Sequence, residues 1–135
     1  YWEAYYFPNI LEKKYKNKTA AGKLREIAKD IISTFKKKKY IFLAELEIWS
    51  LSNHDNTVRD KTRKLYTNLI VLFSDIIQNG IDKKEFKNIN VDIAALSIMT
   101  ALQGVIWFSI FEDSKLSAEQ YLTEVIEFII HGFKK

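Results

Sequence analysis

One stretch constrains the fold more than any other: residues 90–112, NVDIAALSIMTALQGVIWFSIFE. It is the most apolar part of the chain and long enough for several helical turns. A helix with one apolar stripe buries one face, whereas a helix apolar nearly all round is buried on most sides. By the three-to-four-residue spacing of a helix, Leu96, Met99, Gln103, Trp107 and Ile110 share one face. Ser97, Ala101, Gly104, Phe108 and Phe111 lie on another. The first face is bulky and aromatic with one polar group; the second is mostly small until its two phenylalanines. The stretch therefore reads as a central helix with one face inside the subunit and one against something outside it. Gln103 interrupts the apolar run and Glu112 and Asp113 stop it, so it falls short of the roughly 20 apolar residues a membrane span needs.

The rest of the chain repeats the helical signal. One proline and four glycines punctuate 135 residues, and strand-like alternation is missing. The expected class is all-α, an antiparallel bundle of about five to six helices forming a single domain over residues 1–135. With no cysteine there is no disulfide framework and no thiolate site. The N-terminal YWEAYYFPN lacks the basic-then-apolar order of a signal peptide, and a cytoplasmic location is expected. The net charge of +4 permits contact with an acidic polymer without arguing for one.

A short helix is expected at residues 10–16. A longer one follows at 20–37, with Thr19 as its cap and Leu24, Ile27, Ala28, Ile31, Ile32 and Phe35 on its buried side. A strongly apolar helix at 40–52 carries Phe42, Leu43, Leu46 and Trp49. The polar Asn53-His54-Asp55-Asn56 segment ends it, and Asp55 or Asn56 can cap the next, at 57–79. That helix is charged first and apolar later, so its second half should lie deeper. Asn79-Gly80 reads as its stop, glycine accepting the left-handed conformation there. Residues 81–89 form a loop pinned by Ile81 and Phe86, and Asn90 caps the central helix. Ser117-Ala-Glu-Gln120 has the form of a capping box for a last helix over 118–131. On it Leu122, Val125, Ile126, Ile129 and Phe133 make one stripe, and Tyr121, Phe128 and Gly132 start a second.

Two adjacent helices with more apolar surface than one core consumes point to self-association. Two from each of two subunits make a four-helix bundle about a twofold axis. Ser97, Ala101, Gly104, Phe108, Phe111, Tyr121, Val125 and Phe128 are the expected dimerisation residues. A monomer that wraps both helices in its own remaining ones is the alternative.

The order of these segments resembles the C-terminal regulatory domain of the tetracycline-repressor (TetR) family of transcriptional regulators. The resemblance rests on LAELEIWSLSNHDNTVRDKTRKLYTNLIVLFSDIIQNGIDKKEF, NVDIAALSIMTALQGVIWFSIFED and SAEQYLTEVIEFIIHGF, and covers roughly residues 40–134. Tyr5-Tyr6-Phe7-Pro8-Asn9 is similar to the junction that follows the family's recognition helix, with Ala4 and Ile10 departing from its tyrosine and lysine. Residues 1–9 are then the expected remnant of a link to a helix-turn-helix head. The resemblance implies a homodimer that touches DNA only through such a head, which this chain does not contain.

Enzymatic motifs are absent: no HExxH helix, no glycine-rich phosphate loop, no nucleophile elbow. Glu45 and Glu47 are too far apart on a helix to act as a catalytic pair. Glu127 and His131 are spaced to face a metal together, but two ligands do not make a site, and no metal or cofactor is expected. The Lys36–Lys39 run, and Arg59, Lys61, Arg63 and Lys64, read as solvated surface. A ligand pocket is the better reading, being mostly apolar with a few orienting polar groups. Gln103 must find hydrogen-bond partners if buried. Met99 and Trp107 flank it, and Trp49, Tyr66, Asn68 and Phe73 come from helices that pack on this one in the family's arrangement. For each of Trp49, Phe73, Met99 and Trp107 plain core is the competing assignment. The expected function is the effector-sensing, homodimerising domain of a TetR-like repressor that binds a small hydrophobic or amphipathic molecule. The rival is a ligand-free helical dimerisation or interaction module.

Overall fold

The computed structural model describes residues 18–110 and 117–135, apart from the side chains of residues 39, 42, 105–110 and 118. The segment Tyr5–Asn9, the helix expected at 10–16, Phe111 and the side chains of Trp107 and Phe108 lie outside the described residues. Within them run five α-helices: α1 (Ala20–Lys37), α2 (Lys39–Ser52), α3 (Asn56–Asp82), α4 (Val91–Ile110) and α5 (Ala118–Phe133). The bundle is all-α, and no helix of the described residues is long and apolar enough to cross a membrane.

The starts of α1, α3, α4 and α5 are each set by a side chain that satisfies amide groups the helix cannot pair itself, whereas α2 begins without such a cap. Thr19 Oγ1 accepts from the Gly22 amide at 3.0 Å. Asp55 accepts from Thr57 and Val58 at 2.9 and 3.2 Å, Asn90 from Ile93 at 3.2 Å, and Ser117 from Gln120 at 3.0 Å. Glu85 adds a cap from far along the chain, its carboxylate accepting from the Ala20 and Ala21 amides at 2.9 and 3.1 Å. That contact seats the start of α1 beside the end of α3, so the two helices run antiparallel. Arg25–Glu127 and Lys36–Glu119 ion pairs along α1 and α5 likewise require opposite directions.

The core is built from one stripe of each of α1, α3, α4 and α5. Leu24 and Ile27, Phe73 and Ile77, Ile98, and Leu122 and Ile130 are its largest fully buried side chains, with Phe86 from the loop. Each such side chain stabilises the fold by about 1.5–3 kcal/mol relative to exposure. The second half of α3 is the deep half, as its composition requires: Phe73, Ile76, Ile77 and Gly80 are buried there.

Three expectations are corrected. The α3 helix does not stop at Gly80 but continues to Asp82. Gly80 is helical, and the left-handed residue is Lys84, with φ 63°. A side chain at Gly80 is excluded by crowding instead, because a Cβ there would sit 2.5 Å from the Phe86 ring and 2.9 Å from the Ala20 Cβ. The loop after α3 folds back over the helix end, its Phe86 ring meeting Phe133 edge-on at 5.5 Å. Lys87 N–H then donates to Phe133 O at 2.8 Å, tying the end of α5 to this corner. Secondly, α2 contributes little to the core: Ile41 is buried, whereas Leu43, Ile48 and Leu51 are exposed. Thirdly, Leu96 does not share the inward face of Met99. Ala94, Ala95, Ile98, Met99 and Ala101 face inward, while Ile93 and Leu96 are 63% and 54% exposed.

Candidate functional site

The side chains singled out for a ligand site divide into a cluster, a layer beneath it and an outlier. The cluster sits where α2, α3 and α4 meet. On α2, Glu45 and Trp49 are one turn apart and project from one face. Tyr66 of α3 lies between them and accepts a hydrogen bond from the Trp49 indole N–H. Its hydroxyl donates to Glu45 Oε1 at 2.8 Å. Gln103 of α4 completes the set, its side chain hydrogen-bonded to the same hydroxyl. Trp49 and Tyr66 pack edge to face, with ring centroids 5.3 Å apart and planes at 81°. The apolar residues beneath, Phe73 and Met99, belong to the core itself.

The electrostatics follow from burial. Tyr66 is half-buried, and its phenol is pushed well above the usual tyrosine range, first by desolvation and then by the neighbouring Glu45 carboxylate. Hydrogen bonds from Gln103 and Trp49 oppose that shift without reversing it. Tyr66 thus stays a neutral donor and Glu45 an acceptor. No buried side-chain nitrogen or oxygen among the described residues lacks a partner.

Asn68 is the outlier. Two residues beyond Tyr66, it lies nearly opposite on the helix and is exposed. Glu45 is the member that reading the sequence for a pocket missed. The available signal was its i, i+4 spacing to Trp49 on an otherwise apolar helix. Trp107 falls outside the described side chains.

The residues expected at a dimer interface also separate. Ala101 lies in the chain's own core. Gly104 is covered by Tyr121 of the same chain, whose ring carbons would lie 2.6 Å from a Cβ there. Phe128 is 75% exposed, Val125 and Tyr121 are half-buried beside it, and Ser97 is half-buried on α4. Leu96 is exposed elsewhere on α4, while Ile93, which was not expected at the surface, and Phe128 form an apolar strip across α4 and α5. A shallow groove of about 400 Å³ runs along it, lined by Ile93, Ser97, Phe128, Ile129 and Gly132 among others.

The charged features remain structural. Arg25 clasps Glu127 through two hydrogen bonds, at 2.6 and 3.2 Å, and this holds the Glu127 carboxyl below the usual range. Glu127 is thereby committed to an ion pair. Lys36 pairs with Glu119, and Arg59 donates to the Ser52 and Asn53 carbonyls at the end of α2. Among the described residues no group of three His, Asp or Glu side chains could hold a metal ion.

No curated protein and no solved structure matches the chain. A family model described as tetracyclin repressor-like, C-terminal domain, matches residues 17–133, nearly the whole chain, with its boundaries enclosing all five helices. On that match, and with the all-α bundle expected of it, the chain belongs to the tetracyclin repressor-like C-terminal domain family.

Proposed function

We propose that this chain is the effector-sensing, homodimerising part of a transcriptional regulator. A small hydrophobic or amphipathic molecule binds where α2, α3 and α4 meet, with Trp49, Tyr66 and Gln103 facing it and Met99 and Phe73 as the floor. Binding shifts the relation of two subunits and so controls DNA binding by a head outside this chain. The observation that carries the reading is the reach of α4: Gln103 enters the polar cluster near its end, while Ile93 and Leu96 stand open to solvent two to three turns nearer its start. A ligand that favours one position of this helix would bias the exposed surface nearer its start, which is what coupling between two sites requires. Twofold pairing through Ile93, Leu96, Ser97, Val125 and Phe128 would cover the apolar strip, with the same patch serving both partners. A screen of hydrophobic and amphipathic compounds by thermal shift, followed by native mass spectrometry, tests both halves. A dimer mass carrying bound compound is expected, with binding lost in Gln103→Leu. A monomer at all concentrations, or a fold that no compound stabilises, refutes it.

A further inference from the structure

Resting on the reading of the α4–α5 face as the place where two copies meet, we infer that Glu85 is the positioning residue that ties that face to the first turn of α1. Pairing of two copies then sets where α1 begins, and with it the residues before α1 through which a head would be joined. Three sets of contacts carry the inference.

The first is the grip on α1. The opening amides of a helix have no partner within it. Thr19 serves the Gly22 and Lys23 amides, through Oγ1 at 3.0 Å and its carbonyl at 2.9 Å. The Ala20 and Ala21 amides instead donate to Glu85 Oε2 and Oε1, at 2.9 and 3.1 Å, across 65 and 64 residues of chain. A carboxylate here also meets the positive end of the helix dipole, and charge-assisted bonds are the stronger kind. The first turn of α1 is thus held by a side chain from outside α1.

The second is the anchorage of Glu85 itself. Lys84, at φ 63°, reverses the chain, and the Glu85 and Phe86 amides both donate to Gly80 O, at 2.9 and 3.0 Å. Phe86 is buried, packed over Gly80 and edge-on to Phe133. Glu85 therefore moves only with the corner it belongs to.

The third is the link to the paired face. Lys87 N–H donates to Phe133 O at 2.8 Å, and Phe86 and Lys134 pair as an isolated antiparallel bridge. Lys87, Ile89 and Asn90 line the same groove as Ile93, Phe128 and Gly132. A second copy seated there presses on the loop two residues from Glu85. Three consecutive residues, Glu85, Phe86 and Lys87, thus span α1, the core and the groove.

Hydrogen exchange at the Ala20 and Ala21 amides, read by mass spectrometry with residue-level fragmentation, tests the tie on the whole chain below and above the dimer dissociation constant. Protection of both should rise about fivefold or more on pairing, and the rise should disappear in Glu85→Ala. Coupling is reciprocal, so Glu85→Ala should also weaken the dimer about fivefold or more in sedimentation equilibrium, although Glu85 does not line the groove. Thr19→Ala removes a cap from the same helix start without touching the loop, and should leave the dimer constant unchanged. Glu85→Gln, which keeps one acceptor oxygen, should fall between the parent and Glu85→Ala, and replaces the latter should it fail to fold. A dimer in which Ala20 and Ala21 are no better protected than in the monomer, or one weakened equally by Thr19→Ala, overturns the tie and leaves pairing standing. A chain that never pairs overturns both.

Discussion

Phe128 offers the sharpest test of whether a second copy of the chain covers α4 and α5. Its side chain stands 75% exposed, next to a groove whose other wall carries the exposed Ile93. Burying a phenylalanine fully contributes about 1.5–3 kcal/mol, so covering the exposed three-quarters contributes about 1–2 kcal/mol per subunit. A twofold axis uses the same contact twice, which brings the loss in a Phe128→Gln dimer to roughly 2–4 kcal/mol. Because each 1.4 kcal/mol is a decade, the dimer dissociation constant should rise by about one and a half to three decades. Glutamine is nearly as good a helix former as leucine, and the side chain is exposed in the monomer, so the fold itself should lose little. Sedimentation equilibrium over a dilution series reads the constant directly, with circular dichroism confirming an intact helix content. Leu51→Gln is the control: also apolar and exposed, but on α2, it should leave the constant unchanged. A wild-type chain that stays single at all concentrations would refute the reasoning. So would a Phe128→Gln dimer as tight as the parent.

Three further outcomes follow from the packing and the charges. Gly80→Ala forgoes the helix-propensity gain of about 1 kcal/mol expected of an exposed site, because the new methyl collides with Phe86 and Ala20; urea denaturation should show a net loss of about 1–2 kcal/mol. A net gain would show that the crowding is not real. Tyr66, with its folded pKa raised, contributes stability that is fully present below the unfolded value near about 10 and is lost as pH rises beyond it, by at most about 1.4 kcal/mol per pH unit. Denaturation between pH 8 and 11 should therefore fall more steeply for the parent than for Tyr66→Phe, and parallel curves would contradict the assignment. The Arg25–Glu127 pair is about half exposed, so Glu127→Gln should cost less than about 1 kcal/mol, and less again in high salt. Since the Glu127 pKa is lowered, that contribution is present above the unfolded carboxylate value and fades as pH falls through the folded one, which acid titration of the two forms measures.

Local chemistry made much of this protein legible from its residues alone. Thr19, Asp55, Asn90 and Ser117 cap helices wherever they stand, because a side-chain oxygen beside orphan amides acts within a few residues. Apolar spacing likewise revealed the inward stripe of α1 and the surplus of apolar surface on α4 and α5; on α5 it revealed Leu122, Ile126 and Phe133 but not the buried Ile130, and Val125 and Ile129 are only half-buried. Tertiary structure alone decided how α4 is rotated. A helix apolar on most sides carries no strong preference for one face, so Leu96 could turn outward while Ala94, Ala95 and Ala101 turned in. Gly80 was misread for a similar reason: its need for no side chain comes from Phe86 and Ala20, residues distant in sequence that only packing brings together. Glu45 joined the cluster by the same route, since nothing near it in the chain says that Tyr66 will lie 2.8 Å away. Periodicity specifies that a side must be covered; which neighbour covers it is settled only when the helices meet.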